Sequence, residues 1–495
     1  MHLSELTGDD IQVDLSTRDP DIAGMTADSQ AIEPGFLFAA LPGNRVDGRD
    51  FIADALARGA VAVLALPGTS LPPGPSSSHM PVPLLTSAEP RRQLALLAAR
   101  FYGEQPRIAL AVTGTNGKTS VAWFTRRIWE ALGHQPAAMG TLGVTASKYS
   151  GADGGGLTTA DPVTLHRDLK LLADNGIDHI VIEASSHGLE QARLDGVRFT
   201  AGAFTNLSRD HLDYHKTMES YRAAKLRLFD SVLPPDATAV LNADSDDYAF
   251  FFSAAQARGL KLIAYGRAAE EIRIDRIEPL PTGQRLGITL FGHRHEVILQ
   301  ITGAFQARNA LCALGLAIAC GDDSEAALAV LPTLDSPPGR LELVARRANG
   351  AAIYVDYAHT PDALASVLGA LRVHAAGRLA VLFGCGGDRD TGKRPQMGAI
   401  ACDLADIIIV SDDNPRTEVA ATIRREISAR CPEATEIGDR AEAIHHAISL
   451  LGPDDVLVIA GKGHEIGQIV GDQVLPFDDA TVARAVVASL DGKAS

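Results

Sequence analysis

The sequence has few cysteines and no close cysteine pair, which argues against a disulfide or zinc framework. Its 495 residues include five cysteines, and no two of them form a C-x-x-C motif. An odd number of dispersed cysteines is typical of free thiols in a reducing compartment. Positive charge is also scarce, because the formal net charge is −16. We therefore expect no general surface for nucleic acid or anionic lipid, and any phosphate must be bound by local groups.

Long hydrophobic runs are missing as well. The longest apolar helix that the sequence predicts, residues 310–320, is far too short to span a bilayer. Residues 1–10 carry no basic segment followed by an apolar one, so we expect no targeting signal. These features, together with the free thiols, predict a cytoplasmic protein without membrane insertion.

What the sequence does contain is typical of a large globular protein. Hydrophobic residues make up 46% and charged residues 21% of the chain, and its length suits about three domains. Strand-like apolar runs alternate with helix-like stretches, which predicts an α/β fold with mainly parallel sheets and ligands at the carboxyl ends of strands. Changes in composition predict a small N-terminal α/β domain (1–105), a central phosphate-loop domain (106–336) and a C-terminal Rossmann-like domain (337–495).

A phosphate-binding loop is the clearest local motif. An apolar run at 108–112 is followed by a glycine-rich turn and then by a helix-like stretch at 121–129. Backbone N–H groups at such a helix start can bind phosphate, with Lys118 adding a positive charge and Thr119 a hydroxyl for Mg²⁺. The motif has the shorter form G-x-x-G-K-T. The predicted loop consists of Gly114, Thr115, Asn116, Gly117, Lys118, Thr119 and Ser120.

Two further segments carry candidate metal ligands. Glu183 lies in the apolar strand 180–184, where a carboxylate can reach a metal ion held by a triphosphate or can be merely solvated. Residues 206–215 follow another strand and include His211. Because no cysteine-containing zinc spacing is present, Mg²⁺ with oxygen ligands and one imidazole fits better than a structural zinc site.

Several motifs in a fixed order resemble those of the Mur ligases, the ATP-dependent amide-forming enzymes of peptidoglycan synthesis. The resemblance covers nearly the whole chain. Two motifs resemble those of the family members that add meso-diaminopimelate to UDP-N-acetylmuramoyl-L-alanyl-D-glutamate. They are Asp413-Asn-Pro-Arg416 and Gly461-Lys-Gly-His-Glu465. The other motifs are the phosphate loop, Glu183-Ala-Ser-Ser-His-Gly-Leu189, Asp210-His-Leu-Asp-Tyr-His215, Tyr221-Arg-Ala-Ala-Lys225, Pro338-Gly-Arg340, Asp356-Tyr-Ala-His-Thr-Pro361 and Gly384-Cys-Gly-Gly-Asp-Arg389.

The resemblance implies a two-step reaction. ATP phosphorylates the D-glutamate carboxyl group, and the amine of diaminopimelate then displaces phosphate from the acyl phosphate. Lys118, with Mg²⁺ held by Thr119, Glu183, His211 and Lys225, would offset the negative charge. From its pattern alone Lys225 reads as a surface lysine on an amphipathic helix, whereas the resemblance implies that CO₂ carbamylates it. The implied partners are small-molecule substrates, with no nucleic acid, and the chain is expected to be monomeric.

The resemblance also implies binding positions for each substrate. Asn44-Arg45-Val46 stands where the family often has His-Gln-Ala, and Gln306 departs from the usual Phe-Asn, so contacts there are expected to differ in detail. The nucleotide positions are Asn309, Arg340, Asp356 and His359. The UDP-muramoyl-dipeptide positions are Ala27, Ser29, Asn44, Arg45, Val46, Thr158, Thr159, Ser185, Gln191 and Arg193. The diaminopimelate positions are Arg389, Asp413, Asn414, Pro415, Arg416, Gly461 and Glu465.

Alternatives remain open from the sequence. A lysine-adding Mur ligase would share most motifs, and a folylpolyglutamate synthase should lack both the N-terminal domain and Asp-Asn-Pro-Arg. A non-catalytic ATP-binding regulator is disfavoured because Glu183, His211 and Lys225 are all present. Two alternatives concern single motifs. Asn309 could be a helix N-terminal cap or a solvated side chain, and residues 413–416 could be only a turn.

Overall fold

The computed structural model describes residues 1–7, 11, 18–43, 46–72, 82–147, 158–280 and 283–492. These residues form a mixed α/β fold built on three larger sheets and a small hairpin. All five cysteines are free thiols, as the sequence predicts. Within the described ranges, no helix combines the length and the apolar character needed to cross a bilayer.

The N-terminal sheet contains, among the described residues, four parallel strands in chain order. Helix α3 begins with Pro90, a position where the missing N–H has no intrahelical partner to lose. The strands are β1 (Gly24–Thr26), β2 (Phe36–Ala39), β3 (Ala62–Ala65) and β4 (Leu84–Thr86), and the helices are α1 (Leu3–Thr7), α2 (Ile52–Ala57) and α3 (Pro90–Tyr102).

The central sheet has ten strands within the described chain, in the order β14-β13-β12-β11-β10-β9-β5-β8-β6-β7. The strands from β12 to β6 in this order are parallel to one another. At the two ends of the sheet, β13, β14 and β7 pair antiparallel with their neighbours. The strands are β5 (Ile108–Thr113), β6 (Pro136–Gly140), β7 (Gly143–Ala146), β8 (His179–Glu183), β9 (Phe199–Phe204), β10 (Thr238–Asn242), β11 (Lys261–Gly266), β12 (Ile272–Leu280), β13 (Gly283–Leu290) and β14 (His293–Leu299).

Helices cover both faces of this sheet, which explains why its inner strands are continuous apolar runs rather than alternating ones. The alanine-rich helix α10 packs against the helix that follows the phosphate loop, α4. The helices are α4 (Lys118–Ala131), α5 (Pro162–Asp174), α6 (Ser186–Glu190), α7 (Leu212–His215), α8 (Met218–Arg227), α9 (Tyr248–Ala257), α10 (Ala304–Ala319) and α11 (Ser324–Val330).

The C-terminal sheet has the order β15-β16-β20-β17-β18-β19 in the described part of the chain, with β15 alone antiparallel to its neighbour. The parallel strands place their carboxyl ends along one edge. The strands are β15 (Glu342–Arg346), β16 (Ala352–Asp356), β17 (Leu379–Phe383), β18 (Ile407–Val410), β19 (Thr435–Glu436), β20 (Val456–Ala460), β21 (Gly467–Val470) and β22 (Gln473–Pro476), the last two forming the hairpin. The helices are α12 (Pro361–Arg372), α13 (Lys393–Leu404), α14 (Ala420–Ser428), α15 (Arg440–Ser449) and α16 (Asp479–Leu490).

The predicted fold class, a mixed α/β fold with mainly parallel sheets, is confirmed. The sequence did not reveal strand β6, which reads Pro-Ala-Ala-Met-Gly and contains no β-branched residue. Its pairing with β8 and β7 in the sheet, rather than its own propensity, makes it a strand. The domain limits at 105/106 and 336/337, the cytoplasmic location and the monomeric state stay predictions.

Candidate active site

Strand β5 leads directly into the phosphate loop and then into α4, as the sequence predicts. Gly114 and Gly117 have φ of +148° and +90°, which favour glycine. A Cβ on Gly114 would overlap Thr205 Oγ1, and one on Gly117 would lie 2.5 Å from Asn309 Oδ1. No described side chain caps the start of α4. The helix N-terminus can therefore donate its N–H groups to an anion.

The segment after β9 braces this loop. Asn206 accepts the Thr115 N–H at its backbone oxygen over 2.8 Å and the Asn116 N–H at Oδ1 over 3.0 Å. Thr205 Oγ1 donates to Asn116 O over 2.6 Å. The sequence analysis did not single out Asn206, although this residue opens the ligand-rich segment 206–215.

Two lysine ammonium groups converge on one carbonyl of the loop. Lys118 Nζ donates to Gly114 O over 2.9 Å and to Thr115 O over 2.8 Å, and Lys225 Nζ donates to Gly114 O over 2.8 Å. Lys225 is only 1% exposed, so the surface-lysine interpretation is wrong. Burial, and then the charge of Lys118, hold the pKa of Lys225 well below its ordinary value.

Glu183 is buried at the carboxyl end of β8 and is not a solvated side chain. Its Oε2 accepts hydrogen bonds from Thr119 Oγ1 over 3.0 Å and from Thr141 Oγ1 over 3.1 Å, and its Oε1 accepts one from Thr141 N over 2.9 Å. A Cβ on Gly140 would overlap this carboxylate. Hydroxyl and carboxylate oxygens are the donors that Mg²⁺ prefers, so Thr119 and Glu183 fit that ion.

His211 lies on the same cavity as Thr119 and Glu183. It precedes α7 with φ of +52°, an uncommon value for a non-glycine residue. Its side chain is 48% exposed, and its Nε2 lies 3.4 Å from Asp210 Oδ2. Thr119, Glu183 and His211 therefore share one cavity, and the first two are in direct contact. Lys225 is not among the residues that line this cavity; its Nζ lies against the Gly114 carbonyl of the loop.

This cavity has a volume of about 510 Å³ and is lined by residues of both the central and the C-terminal sheet regions. Arg340 reaches across it, with Nη2 donating to Thr119 Oγ1 over 3.4 Å and the guanidinium 4.4 Å from the centre of the Tyr357 ring. All predicted nucleotide residues except Gly114 line it, namely Thr115, Asn116, Gly117, Lys118, Thr119, Ser120, Asn309, Arg340, Asp356 and His359.

Asp356 ends strand β16 and His359 follows it, on the C-terminal side of the cavity. The Asp356 carboxylate accepts the Leu341 and Ala358 N–H groups over 2.6 and 2.7 Å. Burial raises the pKa of Asp356 to about 6, against the opposing effect of the Arg340 charge. Burial also lowers the pKa of His359, and its Nδ1 lies 2.8 Å from Tyr357 O.

Asn309 and Gln306 connect α10 to the C-terminal region. Asn309 Nδ2 donates to Gln306 Oε1 over 2.9 Å, and Gln306 Nε2 donates to Arg340 O over 3.2 Å. Asn309 is 7% exposed and lies inside α10, whose N-cap is Gly303, so the interpretations as a helix N-terminal cap and as a solvated side chain are both wrong. The unusual Gln306 forms the bridge itself.

Four of the residues predicted to bind the UDP-muramoyl dipeptide form one hydrogen-bonded group beside Glu183. Thr159 Oγ1 donates to Glu183 O over 2.7 Å and accepts the Ser185 N–H over 3.0 Å. Arg193 Nη1 donates to Thr159 O over 2.7 Å, and its Nη2 donates to Gln191 Oε1 over 2.8 Å. The structure therefore brings four of these residues together near the candidate metal ligands.

The other residues predicted to bind the UDP-muramoyl dipeptide do not belong to this hydrogen-bonded group. Thr158 lines the cavity, with Oγ1 3.2 Å from Thr141 Oγ1. Ser29 is buried after β1, while Ala27 and Val46 are exposed. Asn44 and Arg45 lie outside the described residues.

The two C-terminal motifs meet in a second site. Asn414 Nδ2 donates to Glu465 Oε2 over 2.8 Å. Lys462 Nζ donates to Asn414 Oδ1 over 3.1 Å and to Glu465 Oε2 over 3.0 Å. Asp413 and Asn414 are 6% and 5% exposed, and Pro415 is also buried, so residues 413–415 pack into the protein, and their role in binding stays a prediction. The sequence analysis missed Lys462, whose only sequence signal is its position in the second motif.

Arg416 projects from this loop in a strained conformation. Its φ is +51°, and its backbone bonds to the hairpin through Ile469 O and Gly471 N over 3.1 and 2.8 Å. Non-glycine residues in this region often occur at ligand-binding sites. Arg416 Nη1 donates to Gly387 O over 2.9 Å. Gly461 has φ of +111°, and a Cβ there would lie 3.0 Å from Asp413 Oδ2; Arg389 is exposed.

Family models match three consecutive parts of the chain. They are the Mur ligase family catalytic domain at residues 21–102, the Mur ligase middle domain at 112–317 and the Mur ligase glutamate ligase domain at 339–463. A UDP-N-acetylmuramoyl-L-alanyl-D-glutamate–2,6-diaminopimelate ligase of Caulobacter vibrioides is 51% identical over 96% of this chain and 97% of its own. The chain belongs to the Mur ligase family.

Further relatives and solved structures are similar to this chain over most or all of its length. A protein of the same name from Mesorhizobium japonicum is 49% identical over 98% of this chain and 99% of its own. A solved ligase structure of that name, 32% identical, has a TM-score of 0.72 and covers 99% of both chains. Folylpolyglutamate synthase of Mycobacterium tuberculosis, at 18% identity, has a TM-score of 0.63 and covers 82% of this chain and 95% of that one. That last similarity concerns the fold alone.

Proposed function

We propose that this Mur ligase uses ATP to join 2,6-diaminopimelate to the D-glutamate of UDP-N-acetylmuramoyl-L-alanyl-D-glutamate in peptidoglycan synthesis. The observation that carries the proposal is the sequence identity of about 50%, over nearly the whole chain, between this protein and ligases named for these two substrates. The phosphate loop beside Glu183 supports the ATP-dependent step. The convergence of the two C-terminal motifs supports the amino-acid step.

The reaction proceeds through an acyl phosphate because a carboxylate is a poor acceptor for an amine. A carboxylate oxygen of D-glutamate attacks the γ-phosphorus of ATP, and ADP leaves. The amine nitrogen of diaminopimelate then attacks the acyl carbon, loses a proton, and expels inorganic phosphate as the C–O bond breaks. The N–H groups at the start of α4 and the Lys118 ammonium bind the phosphates and offset the charge that develops during transfer.

Thr119, Glu183, His211 and carbamylated Lys225 would hold Mg²⁺ in this proposal. Bound there, Mg²⁺ would neutralise charge on the phosphate oxygens. The lowered pKa of Lys225 supports the carbamate, since a neutral amine is the form that reacts with CO₂. The ammonium group first loses one proton; the amine nitrogen then bonds to the carbon of CO₂ and loses a second proton, so that a cation becomes an anionic carbamate. The charge repulsion with Lys118 is then replaced by attraction.

The substrate positions are also part of this proposal. We assign the group of Thr159, Ser185, Gln191 and Arg193 to the muramoyl peptide, next to the acyl-phosphate site. Ala27, Ser29 and residues 44–46 are assigned to the uridine nucleotide. Diaminopimelate differs from lysine by a carboxylate on its far carbon, and an arginine can meet that group with two parallel hydrogen bonds. Arg416 is assigned to it.

An amino-acid panel tests the proposed function. We expect phosphate release only when ATP, the UDP-muramoyl dipeptide and diaminopimelate are present together. Equal efficiency with L-lysine would indicate a lysine-adding ligase. Phosphate release with a reduced folate and L-glutamate, in the absence of the UDP substrate, would indicate a folylpolyglutamate synthase.

Arg416→Ala is expected to raise KM for diaminopimelate about 100-fold and to change KM for the UDP-muramoyl dipeptide much less. The physical reason is the loss of charge-assisted hydrogen bonds to the far carboxylate. Steady-state kinetics on both substrates measure the effect. Arg372→Ala is the matched control, because Arg372 is a partly exposed arginine of the same sheet region that pairs with Asp406. An unchanged ratio of diaminopimelate to lysine efficiency in Arg416→Ala would refute this assignment.

A further inference from the structure

Lys462 is a fully buried cation within the amino-acid site. Its side chain is 0% exposed, and its Nζ lies 3.0 Å from Glu465 Oε2 and 3.9 Å from Asp413 Oδ1. Nζ also donates to Asn414 Oδ1 over 3.1 Å. A buried ammonium group is costly unless it is paired and hydrogen-bonded. The side chains of Glu465, Asp413 and Asn414 therefore stabilise the buried ammonium group, and the ammonium group holds these side chains in their orientations.

The Glu465 carboxylate is anchored through one oxygen. Oε2 accepts hydrogen bonds from Lys462 Nζ over 3.0 Å and from Asn414 Nδ2 over 2.8 Å, whereas Oε1 accepts none from the part of the chain that the structure describes. The side chain is 33% exposed. One oxygen is thus fixed in the protein, and the carboxylate can offer the other to a ligand.

The loops that carry these residues are held independently of Lys462. Arg440 donates to Asp412 O over 3.3 Å and to Ala460 O over 3.0 Å, the residues that precede the two loops. Asp479 pairs with Arg440 at 2.7 Å, and both side chains are fully buried. Removal of the Lys462 ammonium should therefore disturb the side chains of the site more than its backbone.

We propose that Lys462 is a positioning residue that fixes Glu465 and Asn414 for the ammonium end of the incoming amino acid. Its ammonium group binds Glu465 Oε2 beside a second carboxylate, that of Asp413, so that Glu465 Oε1 is free to accept a hydrogen bond from a cationic ligand. The identity of that ligand rests on the proposed function. The pairing of Lys462 with Glu465 does not.

Lys462→Met tests the proposal because it keeps the length of the side chain and removes the charge. KM for diaminopimelate should rise about 10- to 100-fold, as expected for the loss of hydrogen bonds to charged groups. KM for ATP and for the UDP-muramoyl dipeptide should change less than about threefold. Arg347→Met is the matched control, since it removes another cation of this sheet region, 14% exposed and paired with Asp491 at 2.8 Å, and should leave all three constants unchanged.

A double-mutant cycle with Glu465→Gln tests whether Lys462 acts through Glu465. Effects of residues in direct contact are not additive, so Lys462→Met should raise KM for diaminopimelate far less in the Glu465→Gln background. The same cycle applied to the free energy of unfolding of the ligand-free protein needs no substrate. If Lys462→Met alone does not fold, recovery of folded protein in the double variant supports the pairing.

Three results would overturn the proposal: an unchanged KM for diaminopimelate in folded Lys462→Met, equal rises in KM for all three substrates, or additive effects in the cycle. The two ideas can fail separately. If wild-type protein does not use diaminopimelate, but the effects of Lys462→Met and Glu465→Gln on the free energy of unfolding are non-additive, the proposed function is refuted and the Lys462–Glu465 pair is supported.

Discussion

Lys118→Ala is expected to reduce kcat/KM for ligation about 1,000-fold or more without unfolding the protein. A preorganised positive charge at transferring phosphoryl groups acts chiefly in the transition state, where negative charge is spread over the phosphate oxygens. Lys118 is already held at the loop by Gly114 O and Thr115 O over 2.9 and 2.8 Å. Alanine leaves the start of α4 without that charge.

The measurement is ADP and phosphate release with all three substrates present, and circular dichroism verifies the fold. Lys170→Ala provides the control, because Lys170 is a partly exposed lysine that pairs with Asp174 on the surface of α5. We expect wild-type kinetics for this control. Near-normal product formation by folded Lys118→Ala would show that residues 114–120 are not the triphosphate site.

The phosphate loop was predictable from sequence because its geometry is local. A strand, two glycines with positive φ and a helix start are consecutive in the chain, so the pattern alone places the N–H groups and the lysine. Glu183 was placed for a similar reason, at the end of the parallel strand β8, which pairs with β5. The carboxyl ends of adjacent parallel strands necessarily meet.

The burial of lysines was not predictable, because it depends on distant segments. The sequence around Lys225 has the period of a surface helix, yet tertiary contacts bring its ammonium to a carbonyl 111 residues earlier in the chain. Lys462 lies between glycines in a loop, and only the folding of residues 413–414 against it brings the Asp413 carboxylate and the Asn414 amide to its ammonium group. Periodicity reports which face of a helix is apolar, not which polar groups meet in space.

Lys225→Ala is expected to reduce activity to a similar extent, about 1,000-fold, by removing a metal ligand rather than a phosphate contact. The wild-type amine is buried next to Lys118, its pKa is lowered, and its uptake of CO₂ would supply a carboxylate to the site. Alanine leaves a space that a small carboxylate can enter. Acetate or formate should therefore restore part of the activity of Lys225→Ala, and neither should activate Lys118→Ala.

Three controls separate this rescue from other effects. Chloride at equal ionic strength should restore nothing, because the missing group is an oxygen ligand and not general screening. Lys261→Ala, which removes an exposed lysine at the start of β11, should behave as wild type. Nuclear magnetic resonance with ¹³C-labelled bicarbonate should detect a carbamate in wild-type protein and none in Lys225→Ala. Fully active wild-type protein without that signal would rule out the carbamate. If chloride restored the activity of Lys225→Ala as well as acetate does, the rescue would be a general salt effect.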